Sequence, residues 1–431
     1  MRKTARTIST LLVVILTLGI LVTKPATTRA AEDIGRIAGS NRFETAAMTS
    51  AATYMPGAAQ GVVLASGRTF PDALSGVSLA RVIDGPLLLT EKDSLPAPTQ
   101  TELLRALTPN NFMAVYVLGG TGAISQAVAD QVAALGYTVI RISGNDRYQT
   151  AKAIAEQIDQ LRSNDEDTAY IVSGNAYADA LSISPFAGLG KQVLLLSQPK
   201  TLSDSVKEYL ASNQAVIHIT IVGGTSVISG GIQEELAELG YSVGRIAGAD
   251  RYETSVQVAW LFGGSPEGIG VASGEGFSDA LAAGPQLAGL SWPLLLTKKT
   301  NIGCIATGNY LYDNRDSIGE GHLYGGTAVI AGATEVYAES LIQGLAAPGN
   351  CETTDEPPPA DNGGGDTSGG DSGSQCDPNY SGACVPNVYP QDVDCEGGSG
   401  NGPYYVQGPV QVIGDDRYNL DNDGNGVGCE S

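Results

Sequence analysis

Three arginines stand where a phosphate or carboxylate could be gripped: Arg42, Arg147 and Arg251, each inside a copy of Arg-Ile-Ala/Ser-Gly-x-Asn/Asp-Arg-Phe/Tyr-x-Thr. A guanidinium is a planar, permanently charged fork that matches such groups. Downstream in each copy an aspartate, Asp72, Asp179 or Asp279, opens an Ala-Leu-rich stretch. An Arg–Asp bridge internal to each copy would produce the same pattern as a ligand site, so the sequence leaves both readings open. Further on, Gly119-Gly120-Thr121, Gly223-Gly224-Thr225 and Gly325-Gly326-Thr327 each follow an apolar run. Such loops expose backbone N–H groups at a helix start and can hold an anion. They lack the G-x-G-x-x-G spacing and the Gly-Lys-Ser/Thr of nucleotide-binding loops, which favours a tight strand-to-helix turn.

Groups suited to catalysis are sparse. His218 and His322 are the chain's two histidines, and neither has a metal-ligand partner at useful spacing. Ser66, Ser173 and Ser273 recur before glycine, outside any G-x-S-x-G elbow. The C-terminal run Asp421-Asn422-Asp423-Gly424-Asn425-Gly426-Val427 places oxygen-bearing side chains at alternate positions with a glycine among them, the ascending half of a calcium loop. Glu430 arrives two positions earlier than in a helix-loop-helix calcium site.

Everything that must position these groups is repeated. The motif begins at Arg36, Arg141 and Arg245, at spacings of 105 and 104 residues. Within that period the aspartate stretches, the triplets Leu87-Leu88-Leu89, Leu194-Leu195-Leu196 and Leu294-Leu295-Leu296, and the Gly-Gly-Thr loops keep one order. Matched landmarks at a fixed period identify one module made three times, over residues 32–140, 141–244 and 245–351. Three similar surfaces suit a ligand that is itself repetitive, because each added contact forms at high effective concentration.

In the first module the short apolar runs Val62 to Ala65, Leu87 to Leu89, Val115 to Leu118 and Val139 to Ile142 read as buried strands. The intervening patterns Thr45 to Tyr54, Asp72 to Ile83, Thr99 to Leu107 and Ser125 to Leu135 read as helices, opening near a Thr, Asp or Ser that can cap them. The fold class is α/β, with parallel or mixed sheets covered by helices. The third module ends without a following Arg-Ile-x-Gly strand, while Ile34 to Gly39 has no module before it. We expect this segment to close the third sheet and give a pseudo-threefold ring.

Residues 1–31 carry Arg2, Lys3 and Arg6, an apolar stretch from Leu11 to Val22 and small residues at Ala30-Ala31, which reads as a cleaved secretion signal. The apolar stretch is shorter than the roughly 20 residues of a membrane span. Six cysteines fit an oxidising compartment: Cys304 and Cys351 flank the end of the third module, and Cys376, Cys384, Cys395 and Cys429 crowd the tail. Fifteen pairings are open; a two-plus-four partition is expected. Residues 352–375 contain no Leu, Ile, Val or aromatic residue and read as a flexible linker before a Cys-rich module at 376–431. The chain's net charge is −22, and without the five cations of the signal the remainder carries −27. That field opposes nucleic acid and anionic lipid, so an anionic polymer must be held by local arginines, helix N-termini or divalent cations.

Together the Arg-Ile-x-Gly-x-x-Arg-Phe/Tyr-x-Thr starts, the Asp-Ala-Leu stretches, the leucine triplets and the Gly-Gly-Thr loops resemble the cell wall binding repeat 2 family over residues 33–345. The resemblance implies a secreted protein held non-covalently on a Gram-positive wall through an anionic secondary polysaccharide or teichoic-type polymer. It also implies a part in anchoring for the three leucine triplets. The tail resembles the excalibur-type calcium-binding module, which implies Ca2+ ligands at Asp421, Asp423, Asn425 and Glu430 and the Val427 carbonyl. No catalytic set accompanies these features; a cell-wall hydrolase, a nuclease accessory and a calcium-dependent adhesin or surface-layer component are the competing readings.

Overall fold

A computed structural model describes residues 33–108, 113–162 and 167–349, together with five short strands nearer the C-terminus. The first module runs β1 (Asp33–Ile37), α1 (Arg42–Thr53), β2 (Gly61–Ser66), α2 (Gly76–Val82), β3 (Leu87–Thr90), α3 (Ala97–Ala106), β4 (Ala114–Leu118) and α4 (Gln126–Ala134). The second repeats this order as β5 (Thr138–Ile142), α5 (Arg147–Leu161), β6 (Thr168–Ser173), α6 (Ala178–Leu189), β7 (Val193–Ser197), α7 (Asp204–Ser212), β8 (His218–Val222) and α8 (Gly230–Glu238). The third follows as β9 (Ser242–Ile246), α9 (Arg251–Ala259), β10 (Gly268–Ser273), α10 (Ser278–Leu290), β11 (Leu294–Thr297), α11 (Ala306–Asp313), β12 (Glu320–Tyr324) and α12 (Gly332–Ile342). The strands and helices expected for the first module lie within a few residues of these bounds. One difference is at Asp72, which sits in a single 3-10 turn, Pro71–Ala73, ahead of α2.

Each sheet has four strands, ordered β3-β2-β4-β5, β7-β6-β8-β9 and β11-β10-β12-β1. All pairings in these sheets are parallel. The strand that opens one module therefore completes the sheet of the module before it, and β1 completes the third by pairing Asp33 with Glu320 through Ile37 with Tyr324. The expected closure by the N-terminal segment is present. The module limits at 140/141 and 244/245 fall inside β5 and β9.

Helices close the ring in the same cyclic sense. Helix α1 packs on α10, α5 on α2 and α9 on α6, while α2, α6 and α10 pack on one another around the pseudo-threefold axis. A helix surrounded by protein must be apolar on every side, and α6 is buried from Ala178 to Pro185 and again at Ala187 and Gly188. Near-threefold symmetry also crowds the axis, so the layers are filled unequally. A Cβ on Gly284 would lie 2.6 Å from Val77 Cγ2, and one on Gly188 would lie 3.1 Å from both Ala288 Cβ and Arg81 Cγ. One long side chain thus reaches inward where its counterparts are small.

The leucine triplets form β3, β7 and β11, under α1, α5 and α9. Every one of the nine leucines is 0–1% exposed. Burying a leucine contributes roughly 1.5–3 kcal/mol, so the triplets are major contributors to each module's core.

The chain divides into two units, residues 1–354 and 355–431. In the second, Val410–Val412 pairs antiparallel with Tyr380–Ser381 and with Val427–Gly428, and Val393–Cys395 pairs parallel with Tyr404–Val406. Asp421, Asp423, Asn425 and Glu430, with Cys351, Cys376, Cys384 and Cys429, lie outside the described residues. Cys304 is disulfide-bonded.

Candidate functional site

The repeated motif is first a device for starting a helix against a turn. Asn41, Asp146 and Asp250 cap α1, α5 and α9, each accepting a backbone N–H through its side chain. The following Phe43, Tyr148 and Tyr252 lie on the glycine that ends the Ser-Gly turn after the module's second strand. A Cβ on Gly67, Gly174 or Gly274 would stand 2.5, 2.6 or 2.8 Å from those rings. Arg42, Arg147 and Arg251 each donate Nη1 to the carbonyl of the same glycine, at 2.6 Å for Arg147. One N–H of each arginine is therefore structural, and each guanidinium also lies within electrostatic reach of an aspartate of the neighbouring module.

That neighbour supplies the aspartate. Asp72 is influenced by Thr150 and Arg147, Asp179 by Thr254 and Arg251, and Asp279 by Arg42 and Thr45. The Arg–Asp relation expected inside one module is thus made across the seam between consecutive modules. Among the described residues no Arg–Asp ion pair within 4.0 Å joins them; the Thr45, Thr150 and Thr254 side chains stand beside the carboxylates and lower their pKa, and the Thr150 hydroxyl donates to the Asp146 carbonyl at 3.0 Å. The same hydroxyls accept from the Gly39, Gly144 and Gly248 N–H groups at 3.0–3.1 Å. Burial pushes all three aspartates above the usual carboxylate range, while threonine and arginine pull them back.

The Gly-Gly-Thr loops meet the same seams. Gly119, Gly223 and Gly325 have φ of 95°, 123° and 111°, and a Cβ on them would lie 2.6–2.7 Å from the Oδ2 of Asp72, Asp179 or Asp279. Only glycine suits both demands. The loops do not open a helix as expected, since α4, α8 and α12 start several residues later, at Gln126, Gly230 and Gly332. Ser125, expected as a cap, makes no side-chain cap bond, and neither does its counterpart Ser229. Instead the motif's first arginine staples the loop: Arg36, Arg141 and Arg245 donate Nη1 to the Gly325, Gly119 and Gly223 carbonyls at 2.6, 2.8 and 2.7 Å.

Between the first and second modules these groups enclose a groove of about 590 Å³, whose walls include Arg68, Phe70, Asp72, Gly120, Asp146 and Arg147. Its counterpart between the second and third modules, with Asp179, Gly224, Asp250 and Arg251, is about 160 Å³. On the axis Phe70, Tyr177 and Phe277, one from each module, meet with ring centroids 5.4, 5.9 and 6.3 Å apart. Arg42 lies 6.0 Å from the Phe277 ring and Arg251 5.7 Å from Tyr177, within reach of a cation–π attraction. The arrangement offers guanidinium donors, shielded carboxylates, threonine hydroxyls and an aromatic wall, a set that suits a sugar carrying negative charge.

Sequence reasoning missed this aromatic triad and the seam threonines. A signal existed, since an aromatic residue stands two positions before each of Asp72, Asp179 and Asp279. The leucine triplets are in the core, away from the grooves. Ser66, Ser173 and Ser273 accept backbone N–H groups of their own turns. His218 is exposed near Asp167, and His322 packs against Trp292 and Tyr324 with its pKa pulled down by burial. Among the described residues no cluster of three or more His, Cys, Asp or Glu side chains could hold a metal. None of the described helices is long and apolar enough to cross a membrane.

Comparison with known proteins places this geometry. The family described as Cell wall binding domain 2 (CWB2) matches residues 36–129, 141–233 and 245–335. The N-acetylmuramoyl-L-alanine amidase LytC of Bacillus subtilis (strain 168) is 31% identical over 285 residues, 66% of this chain and 54% of the amidase. The amidase enhancer of the same organism is 26% identical over 271 residues, 63% of this chain and 36% of its own length. The chain thus spans about half of the first relative and about a third of the second. Among solved structures, Cwp6 from Clostridium difficile superposes with a TM-score of 0.63 at 28% identity, covering 73% of this chain and 48% of Cwp6. Cwp8 from Clostridium difficile gives 0.64 at 26% identity, covering 72% and 52%.

Proposed function

Because the chain belongs to the Cell wall binding domain 2 (CWB2) family, we propose that residues 33–349 hold a secreted protein non-covalently on a Gram-positive wall by binding an anionic secondary polysaccharide or teichoic-type polymer along the seams between modules. One observation carries the reading. The second motif arginine and the threonine of one module converge with the aspartate, the aromatic residue and the Gly-Gly loop of the module before it.

Binding at seams gives the repeat a purpose that a single module lacks, because each groove needs two modules. It also explains how an acidic chain can hold an anionic polymer. The contact relies on a few oriented guanidinium and backbone N–H donors in a partly desolvated groove, where a charge-assisted bond outweighs the screened field of distant carboxylates. The leucine triplets act through the scaffold, by fixing the helices that carry Arg42, Arg147 and Arg251.

The role is that of an anchor without catalysis. The tail, at residues 376–431, binds Ca2+ through Asp421, Asp423, Asn425, the Val427 carbonyl and Glu430. A calcium titration that produced no calorimetric or near-ultraviolet response up to several millimolar would remove that part of the reading.

The decisive experiment is co-sedimentation of residues 32–431 with purified Gram-positive walls before and after the secondary polymers are stripped. Binding lost on stripping supports the seam reading. Binding that persists assigns the contact to peptidoglycan, and absence of binding to either wall defeats the anchor reading.

A further inference from the structure

The three seams share a framework yet differ at their rims. Arg68 follows the Ser-Gly turn of the first module; Asn175 and Glu275 hold that position in the second and third. The residue just after the leucine strand, which in the first module is the Glu91 that pairs with Arg68, is Gln198 or Lys298 in the second and third. The pair therefore reads Arg–Glu, Asn–Gln and Glu–Lys, a charged pair, a neutral pair and the charge-reversed pair, on one scaffold.

Such a pair is not demanded by the fold. Arg68 and Glu91 form a bidentate bridge, Nε to Oε2 at 2.7 Å and Nη2 to Oε1 at 2.6 Å, with side-chain exposures of 64% and 26%. Exposed ion pairs contribute little to stability. What the bridge does is hold the arginine in one orientation, with Nε and Nη2 committed to Glu91, while Arg68 lines the groove that also contains Arg147. In that groove Arg147 commits Nη1 to the Gly174 carbonyl at 2.6 Å and keeps its remaining N–H groups.

Size separates the seams as well. The groove between the first and second modules, about 590 Å³, lies within the range of small-molecule sites, roughly 300–1,000 Å³, and its counterpart of about 160 Å³ lies below it. By module equivalence the position that Arg68 occupies at the first seam is Glu275 at the third, and a carboxylate at that position opposes an anion.

We propose that the seams are unequal and that one of them, between the first and second modules, receives a carboxylate- or phosphate-bearing sugar unit, with Arg68 and Arg147 as its two guanidinium donors and the Arg68–Glu91 pair setting specificity. This rests on the seam-binding reading above and sharpens it: the ring has one primary anion subsite. The other two seams keep the framework for folding and serve as secondary contacts along the polymer.

The test installs the neutral form of the pair in one module at a time. Arg68→Gln with Glu91→Gln reproduces the amide-bearing character of the second module, and Glu275→Gln with Lys298→Gln is the same chemical change in the third. Each is made in residues 32–431 and assayed by wall co-sedimentation and by calorimetry with two soluble probes, glycerol-phosphate teichoic fragments and uronate-bearing polysaccharide fragments.

We expect the first pair to weaken binding roughly 10- to 100-fold, the consequence of losing one charge-assisted bond, with unchanged thermal stability. The third-module pair leaves affinity unchanged or raises it. One unit bound tightly per chain from either probe supports the proposal, and the probe that binds identifies phosphate or carboxylate as the source. Three equal tight sites per chain, or equal effects of the two pairs, overturns the single-subsite proposal while leaving wall binding intact. Failure of the unaltered protein to sediment with walls defeats the wall reading itself.

Discussion

Replacing Gly223 with alanine tests whether the seam aspartate and the Gly-Gly loop are one structural unit. Gly223 has φ of 123°, a conformation open to glycine and strained for alanine, and the new Cβ would lie 2.7 Å from Asp179 Oδ2. Holding a residue with a side chain in such a region costs about 1–3 kcal/mol. Asp179 is 8% exposed and lies within the influence of Thr254 and Arg251 across the seam, so moving its carboxylate aside disturbs a buried polar group, about 1–3 kcal/mol. Together the substitution should destabilise the ring by about 2–6 kcal/mol. The neighbouring Gly224 is the internal control, since a Cβ there meets only Ser226 Oγ at 3.8 Å. Gly224→Ala should change stability by less than about 1 kcal/mol. Urea unfolding of residues 32–431, followed by circular dichroism, measures both. A further variant, Gly223→Ala with Asp179→Ala, removes the clash and should show a favourable coupling between the two sites. Equal effects of the two glycine substitutions, or strict additivity of the double variant, would refute the account.

Three other outcomes follow from the same architecture. Burial raises the folded-state pKa of Asp72, Asp179 and Asp279 above the ordinary value of 3.8, so the folded chain takes up their protons first as pH falls. Their contribution to stability is therefore lowest at neutral pH, grows as pH drops through the raised pKa, and is complete below the unfolded value; Asp179→Asn should remove its share of that slope, seen as a difference between variant and parent in unfolding measured from pH 7 to 4. Deleting residues 32–40 removes β1, the Arg36–Glu335 ion pair at 2.9 Å and the staple on Gly325, and leaves β12 as an open edge; hydrogen exchange over 320–324 should accelerate and the deleted chain should associate, whereas unchanged exchange contradicts closure by β1. Leu195→Ala, at a position 1% exposed, should cost about 2–5 kcal/mol, and wall binding should fall only in proportion to the unfolded fraction, a correlation that a direct leucine–polymer contact would break.

The sequence by itself determined the modules, their order and most of their elements. Strands such as Val62 to Ala65 and the leucine triplets are short, continuous apolar runs that must be buried, and that property is local. The lack of a following strand after the third module, set against the unpaired segment at Ile34 to Gly39, was enough to anticipate β1 beside β12. Which residues face which across modules was not legible. Arg42 precedes Asp72 by a short stretch of chain, yet its aspartate neighbour is Asp279, far along the chain and adjacent only once the ring closes. Sequence distance ranks Asp72 first; the cyclic packing of α1 on α10, α5 on α2 and α9 on α6 reverses that ranking. The aromatic triad is not legible for the same reason, since Phe70, Tyr177 and Phe277 lie a hundred or more residues apart and meet only because three similar modules converge on one axis. Local physics wrote each module, while the seams, where the binding chemistry is assembled, exist only when the ring closes and buries one module's aspartate beneath the next module's threonine and arginine.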